Sequence, residues 1–136
     1  MRLRILLVDD HAQSRYALAK LLAFAGHEVC SAATASAALR AAGDSLEWDL
    51  LISDIDLPDG SALGLMRQVR AACGAPGVAL TTDNEEPADP IWRAAGYVVR
   101  LRKPLRFREV EAAIRRATAQ HPRPQAPTGR PAGGAA

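Results

Sequence analysis

Aromatic residues are scarce in this chain, with two each of Trp, Tyr and Phe making 4% of its 136 residues. Scattered rings without a basic stripe do not build a stacking platform for nucleic acid, so Trp48 and Trp92 read as packing residues. Cysteine is equally sparse. Cys30 and Cys73 are far apart, with no C-x-x-C and no histidine spaced to complete a zinc set, and they read as small apolar residues in a reducing compartment. Net charge is nearly absent too: +2 is too small to imply a polyanionic partner. No apolar run approaches the ~20 residues of a membrane span. The run Leu3 to Val8 is too short for a signal-peptide core and ends in two acids, so the chain reads as cytoplasmic, and the start at Met1 as an intact N-terminus.

The hydrophobic fraction of 49% is that of an ordinary globular protein, and the length suits one domain with a single small site. Leu3 to Val8 is short, branched and apolar, which predicts a strand buried on both faces. Leu18, Leu21, Leu22 and Ala25 recur at helical spacing within a helix from Ser14 to Ala25, with Gly26 at its C-cap. Alternation continues along the chain. Strands are expected at His27 to Ser31, Trp48 to Ser53, Gly77 to Leu80 and Tyr97 to Arg102. Helices are expected at Ser36 to Ala42 (ended by Gly43), Leu63 to Ala72, 85 to 95 and Phe107 to Ala119. Pro87 and Pro90 should leave the fourth helix short or distorted. Residues 1–119 thus form the domain, and 120–136, rich in Pro, Gly and Ala, a disordered tail.

Five strands alternating with five helices predict an α/β three-layer sandwich around a five-stranded parallel sheet, since parallel neighbours need crossover helices. In such open sheets the ligand lies beyond the carboxyl ends of the strands. Those ends carry Asp9 and Asp10, Asp54, Thr81 and Thr82, and Lys103. Carboxylates converging there repel unless a cation sits among them, and an oxygen-rich site free of thiolate and imidazole suits Mg2+. Beside such a cation a carboxylate can attack a phosphoryl group, while a lysine and a hydroxyl such as that of Thr81 neutralise its equatorial oxygens.

The stretches ILLVDD (5–10), LLISDIDLPDG (50–60), VALTT (78–82), AAG (94–96) and LRKP (101–104) occur in this order. Together they resemble the receiver domain of bacterial two-component response regulators, over about Leu3 to Ala119. The resemblance implies a flavodoxin-like doubly wound (βα)5 fold. It implies that Asp54 is the phosphoacceptor, supplied by a phosphohistidine on a sensor histidine kinase or a histidine phosphotransfer protein. It further implies that Asp10 and Asp54 bind Mg2+ directly, Asp9 through water and Asp56 through its backbone carbonyl. Thr81 would be the hydroxyl that moves towards the phosphoryl group, and Lys103 the invariant cation, followed by a cis bond to Pro104. Such a module is not a turnover enzyme, acting only on its own acceptor. GVALTT with AGY resembles the receivers of hybrid histidine kinases, and output is expected through protein contact, with neither nucleic acid nor membrane as partner.

Several positions depart from the family pattern. Arg100 stands where an aromatic or histidine commonly swings inward, and a guanidinium must stay hydrated or paired. Ala62 replaces a glycine after the LPDG turn, which puts a positive φ there in question. Arg100 and the two prolines fall on the face of the fourth helix, fifth strand and fifth helix, where the family docks output partners. Asp56 and Asp83 match positions that tune the phosphoryl lifetime. His11 reads as a partly exposed loop residue, and Asp59 with Pro58 and Gly60 as turn chemistry. Two alternatives remain: a magnesium-dependent phosphatase using Asp54 and Asp56 as a D-x-D pair, and an interaction module that does not depend on phosphorylation.

Overall fold

A computed structural model describes residues 2–42, 47–60, 62–82 and 89–120. Gly43, Asp83, Pro87 and the tail from 121 lie outside the described residues. The elements alternate: β1 (Arg4–Val8), α1 (Ala12–Phe24), β2 (Glu28–Ala32), α2 (Ala35–Ala42), β3 (Leu50–Asp54), α3 (Ala62–Cys73), β4 (Gly77–Thr81), α4 (Asp89–Ala95), β5 (Tyr97–Arg102) and α5 (Phe107–Gln120). All strand pairs are parallel, in the order β2-β1-β3-β4-β5.

The apolar strands serve two cores at once. Leu6, Val8 and Leu51 point to one face, where Ala38 of α2, Leu65, Met66 and Val69 of α3 and Ala95 of α4 cover them. Ile5, Leu7, Leu50 and Ile52 point to the other, beneath Leu18 and Leu22 of α1 and Val110, Ile114 and Ala117 of α5. Side chains alternate across a strand, so a strand buried on both faces must be apolar throughout.

Several boundaries move by a residue or two, and two of these shifts have a local cause, while residues 85–88 of the expected fourth helix lie outside the described residues. Helix α1 starts at Ala12 rather than Ser14, because the His11 side chain accepts the Ser14 N–H and caps the first turn; His11, exposed in the loop before the helix, is thus also its N-cap. Strand β3 starts at Leu50 rather than Trp48: the Asp49 carboxylate accepts the Arg4 N–H at 2.8 Å, and Trp48 is buried under the Arg4 guanidinium, 4.7 Å from its ring centroid. Helix α4 spans seven residues and carries Pro90 second, in the first turn, where a missing N–H costs nothing. Ala62 opens α3 and is buried, while Gly60 takes the left-handed φ of 75° in the preceding turn. The Lys103–Pro104 bond is cis.

Strands β4 and β5 meet through a tight seam. Gly77 pairs with Tyr97, and a Cβ on Gly77 would overlap both Met66 and the Tyr97 ring. Tyr97 is buried, and its hydroxyl donates to the Ala62 carbonyl at 2.9 Å, tying β5 to the start of α3.

Candidate functional site

Strand order decides which polar residues meet. Because β1 and β3 are neighbours with Val8 opposite Ser53, the residues that follow this pair, Asp9 just after β1 and Asp54 at the end of β3, emerge side by side. Strand β4 lies on the far side of β3, and Thr81, buried, ends it just beyond the Leu80 that pairs with Asp54. The Lys103 N–H donates to the Thr81 carbonyl at 2.7 Å, which holds the residue after β5 against the end of β4. From there the long lysine side chain reaches back over the sheet edge. Its Nζ lies 2.9 Å from Asp9 Oδ2 and 3.0 Å from Asp54 Oδ1.

Asp9 is fully buried and well supported. Besides Lys103, its carboxylate accepts the His11 N–H at 2.9 Å, and its backbone carbonyl accepts Arg15 Nη1 at 2.8 Å. Asp54 is supported less. Lys103 is close to Asp54 Oδ1 but off the hydrogen-bonding direction, so this buried oxygen has no hydrogen bond. Burial, with the Asp9 carboxylate beside it, pushes the Asp54 carboxyl up to about 7 against the pull of Lys103. Burial alone would also raise Asp9, but hydrogen bonds with Asp54, His11 and Lys103 bring it below the ordinary range. Lys103 is raised although burial opposes it, because both carboxylates favour its charged form.

Asp10 is exposed at the mouth, and Asp9, Asp10 and Asp54 each offer a carboxylate oxygen within 4.8 Å of the others. An acidic, oxygen-only cluster with one orphaned carboxylate oxygen fits a hard divalent cation, which prefers such ligands. Asp10 supplies the open side. The arrangement presents one carboxylate poised as a nucleophile, one ammonium beside it and room for a cation.

The expected site residues divide accordingly. Asp9, Asp10, Asp54 and Lys103 come together, with Thr81 on the adjacent strand end. The Asp56 side chain is exposed and stands outside the carboxylate cluster, and Asp83 lies outside the described residues. Arg100 is exposed on β5 and lines a separate cleft with Arg93 and Arg116. Asp59 does more than turn the chain. Its carboxylate accepts the Ala35 and Ser36 N–H groups at 3.1 and 2.9 Å, capping α2 from 24 residues away, and these bonds lower its titration. Arg15 was not foreseen: no local pattern in the sequence signals that its guanidinium braces the Asp9 carbonyl.

Comparisons with known proteins agree with this geometry. The family model for the response regulator receiver domain matches residues 5–115. The virulence sensor protein BvgS of Bordetella bronchiseptica is 35% identical over 137 aligned residues, covering 91% of this chain and 11% of BvgS. The transcriptional regulatory protein KdpE of Mycobacterium tuberculosis is 33% identical, covering 85% of this chain and 52% of KdpE. The chain thus spans between about a tenth and a half of the length of these relatives. The chemotaxis response regulator CheY4 of Vibrio cholerae superposes with a TM-score of 0.75 at 27% identity, over 86% of this chain and 99% of CheY4. The chain, with its parallel five-stranded sheet and its acidic strand ends, belongs to the response regulator receiver domain family.

Proposed function

We propose that this receiver accepts a phosphoryl group on Asp54 from a phosphohistidine of a sensor histidine kinase or a histidine phosphotransfer protein, with Mg2+ at the acidic cluster. The observation that carries the reading is Asp54 Oδ1, buried without a hydrogen bond and 3.0 Å from an ammonium. In the transfer, the Asp54 carboxylate forms a new P–O bond while the P–N bond to the donor imidazole breaks, and the imidazole leaves with its electron pair to be protonated by solvent. Lys103 neutralises the incoming phosphoryl oxygens, and the Thr81 hydroxyl donates to one of them. Mg2+, held by Asp10 and Asp54, by the Asp56 carbonyl and by Asp9 through water, would offset the remaining negative charge.

The module acts on its own acceptor and not as a turnover enzyme. Similarity to a virulence sensor protein supports a receiver of the hybrid-kinase type, and the cytoplasm is its proposed compartment. Among the described residues no helix is long and apolar enough to cross a membrane. Phosphorylation would be read out on the α4-β5-α5 face, with Asp56 and Asp83 tuning phosphoryl lifetime and Arg100 standing as a modulator where the family commonly has its aromatic switch. The D-x-D phosphatase reading is disfavoured, since the Asp56 side chain is exposed and the carboxylates beside Asp54 come from β1.

Incubation with Mg2+ and acetyl phosphate, followed by intact mass and by turnover of p-nitrophenyl phosphate, tests the reading. The expected result is one added phosphoryl group and no sustained turnover. Sustained turnover would favour the phosphatase, and absence of any adduct would remove the acceptor role.

A further inference from the structure

Asp10 is the exposed member of the carboxylate cluster, yet the backbone on both sides of it is held. The N–H of the peptide that follows it, on His11, donates to Asp9 Oδ1 at 2.9 Å. The carbonyl of the peptide that precedes it, on Asp9, accepts Arg15 Nη1 at 2.8 Å. Upstream, the Asp9 N–H donates to the Ala32 carbonyl at 3.0 Å, so the chain leaving β1 is also tied to β2. Because peptide units are planar, pinning the two that flank Asp10 sets its φ and ψ, and only its side-chain torsions remain to aim the carboxylate.

Arg15 is placed for this by the start of α1. Its own N–H donates to the His11 carbonyl at 2.9 Å, closing the first turn, and His11 caps that turn through Ser14. Helical side chains lean towards the helix N-terminus, so a long side chain about one turn in reaches residues that precede the helix. The Arg15 side chain is half-buried, and its rigid planar fork gives up little further freedom in making the bond. Its charge, by contrast, works against a cation. A guanidinium beside an acidic cluster repels the divalent ion that the cluster is fit to hold, so what Arg15 contributes to that ion must come through geometry.

We propose that Arg15 is a positioning residue for the cation site: by clamping the Asp9–Asp10 peptide it holds Asp10 in the orientation in which its carboxylate completes the cluster with Asp9 and Asp54. The inference rests on the reading of that cluster as the Mg2+ site.

Mn2+ shares the preference of Mg2+ for oxygen ligands, and its free ion is counted directly by electron paramagnetic resonance, so it serves as the probe. Titration of the full wild-type chain should show saturable binding that Asp10→Asn weakens sharply. Arg15→Met keeps a long apolar stem and removes the donors, and it should weaken Mn2+ about tenfold or more, as loss of a residue that orients a metal ligand does. Loss of the charge alone would act in the opposite sense and tighten binding. Gly77→Ala, strained at the far end of β4, controls for lost stability and should stay within about twofold of wild type, since sites without shared partners act independently. Far-UV circular dichroism checks that every variant is folded. A loss of less than about threefold in Arg15→Met, or tighter binding, overturns the proposal, as does an equal loss in Gly77→Ala. If wild type binds no Mn2+, or binds it unchanged in Asp10→Asn, the reading of the cluster as a cation site falls and the proposal falls with it.

Discussion

The carboxyl end of the sheet and its β5 edge handle charge in opposite ways. At the sheet end, Asp9 and Asp54 are buried, crowded and shared by one ammonium, so a small change in charge there has a large energetic effect. At the β5 edge, arginines stand in solvent around a shallow cleft, where each contact is weak and easily screened. The difference is that charge is crowded where water is excluded and spread out where side chains can rearrange.

The largest expected effect is at the buried end. Lys103→Met should slow labelling of Asp54 by acetyl phosphate by about 10²–10³-fold, because the ammonium that offsets the incoming phosphoryl oxygens is gone. Quench-flow or timed intact-mass measurements check it, and a change of less than about tenfold would show that Lys103 is a structural ion-pair partner only. Next comes the seam that supports the β5 edge. Gly77→Ala forces a Cβ into Met66 and Tyr97 and should cost about 2–3 kcal/mol in urea denaturation, since the space is already filled.

A third expectation turns on pH. The Asp54 pKa is raised from 3.8 to about 7 in the folded chain, so its contribution to stability is fully present below about 4 and is lost as pH rises through 7. Metal-free Asp54→Asn should therefore be more stable than wild type at pH 8, by about 2 kcal/mol, with the gain shrinking towards pH 4. The gain is less than the full shift because the amide forgoes the Lys103 ion contact. Thermal melts across pH in EDTA measure it; a constant difference at all pH values would mean that the Asp54 charge is not strained. The smallest effect belongs to Asp59→Ala, which removes the long-range cap of α2 and should lower the melting temperature slightly at neutral pH. That loss should vanish as pH falls below the ordinary carboxylate range, since the bonds from Ser36 and Ala35 favour the ionised form.

Much of the buried end was legible in the sequence. Apolar runs such as LLIS can only be strands covered on both sides, and once five of them alternate with helices the polar residues at their ends must converge. Asp9, Asp10, Asp54 and Lys103 follow from that topology. The rest depends on contacts that no sequence pattern signals: Asp59 capping α2 and Tyr97 tied to Ala62 across distant segments, and Arg15 of α1 reaching back to brace the Asp9 carbonyl. The basic cleft escaped for a related reason. A net charge of +2 implies no polyanionic partner and says nothing of how the charges are distributed, and Arg93, Arg100 and Arg116 are brought together only by the crossing of three elements. Arg100 stands out in the sequence as a departure from the family pattern, but Arg93 and Arg116 carry no signal until the chain is folded.

The central claim is that the strained carboxylate at the end of β3 is the acceptor. Tryptic mass mapping after incubation with acetyl phosphate, with Mg2+ or with EDTA, tests it on wild type and Asp54→Asn. The account predicts one phosphoryl group on the peptide bearing Asp54, dependent on Mg2+ and absent from Asp54→Asn. An adduct that persists in Asp54→Asn, or a wild-type chain that takes up none, would contradict it.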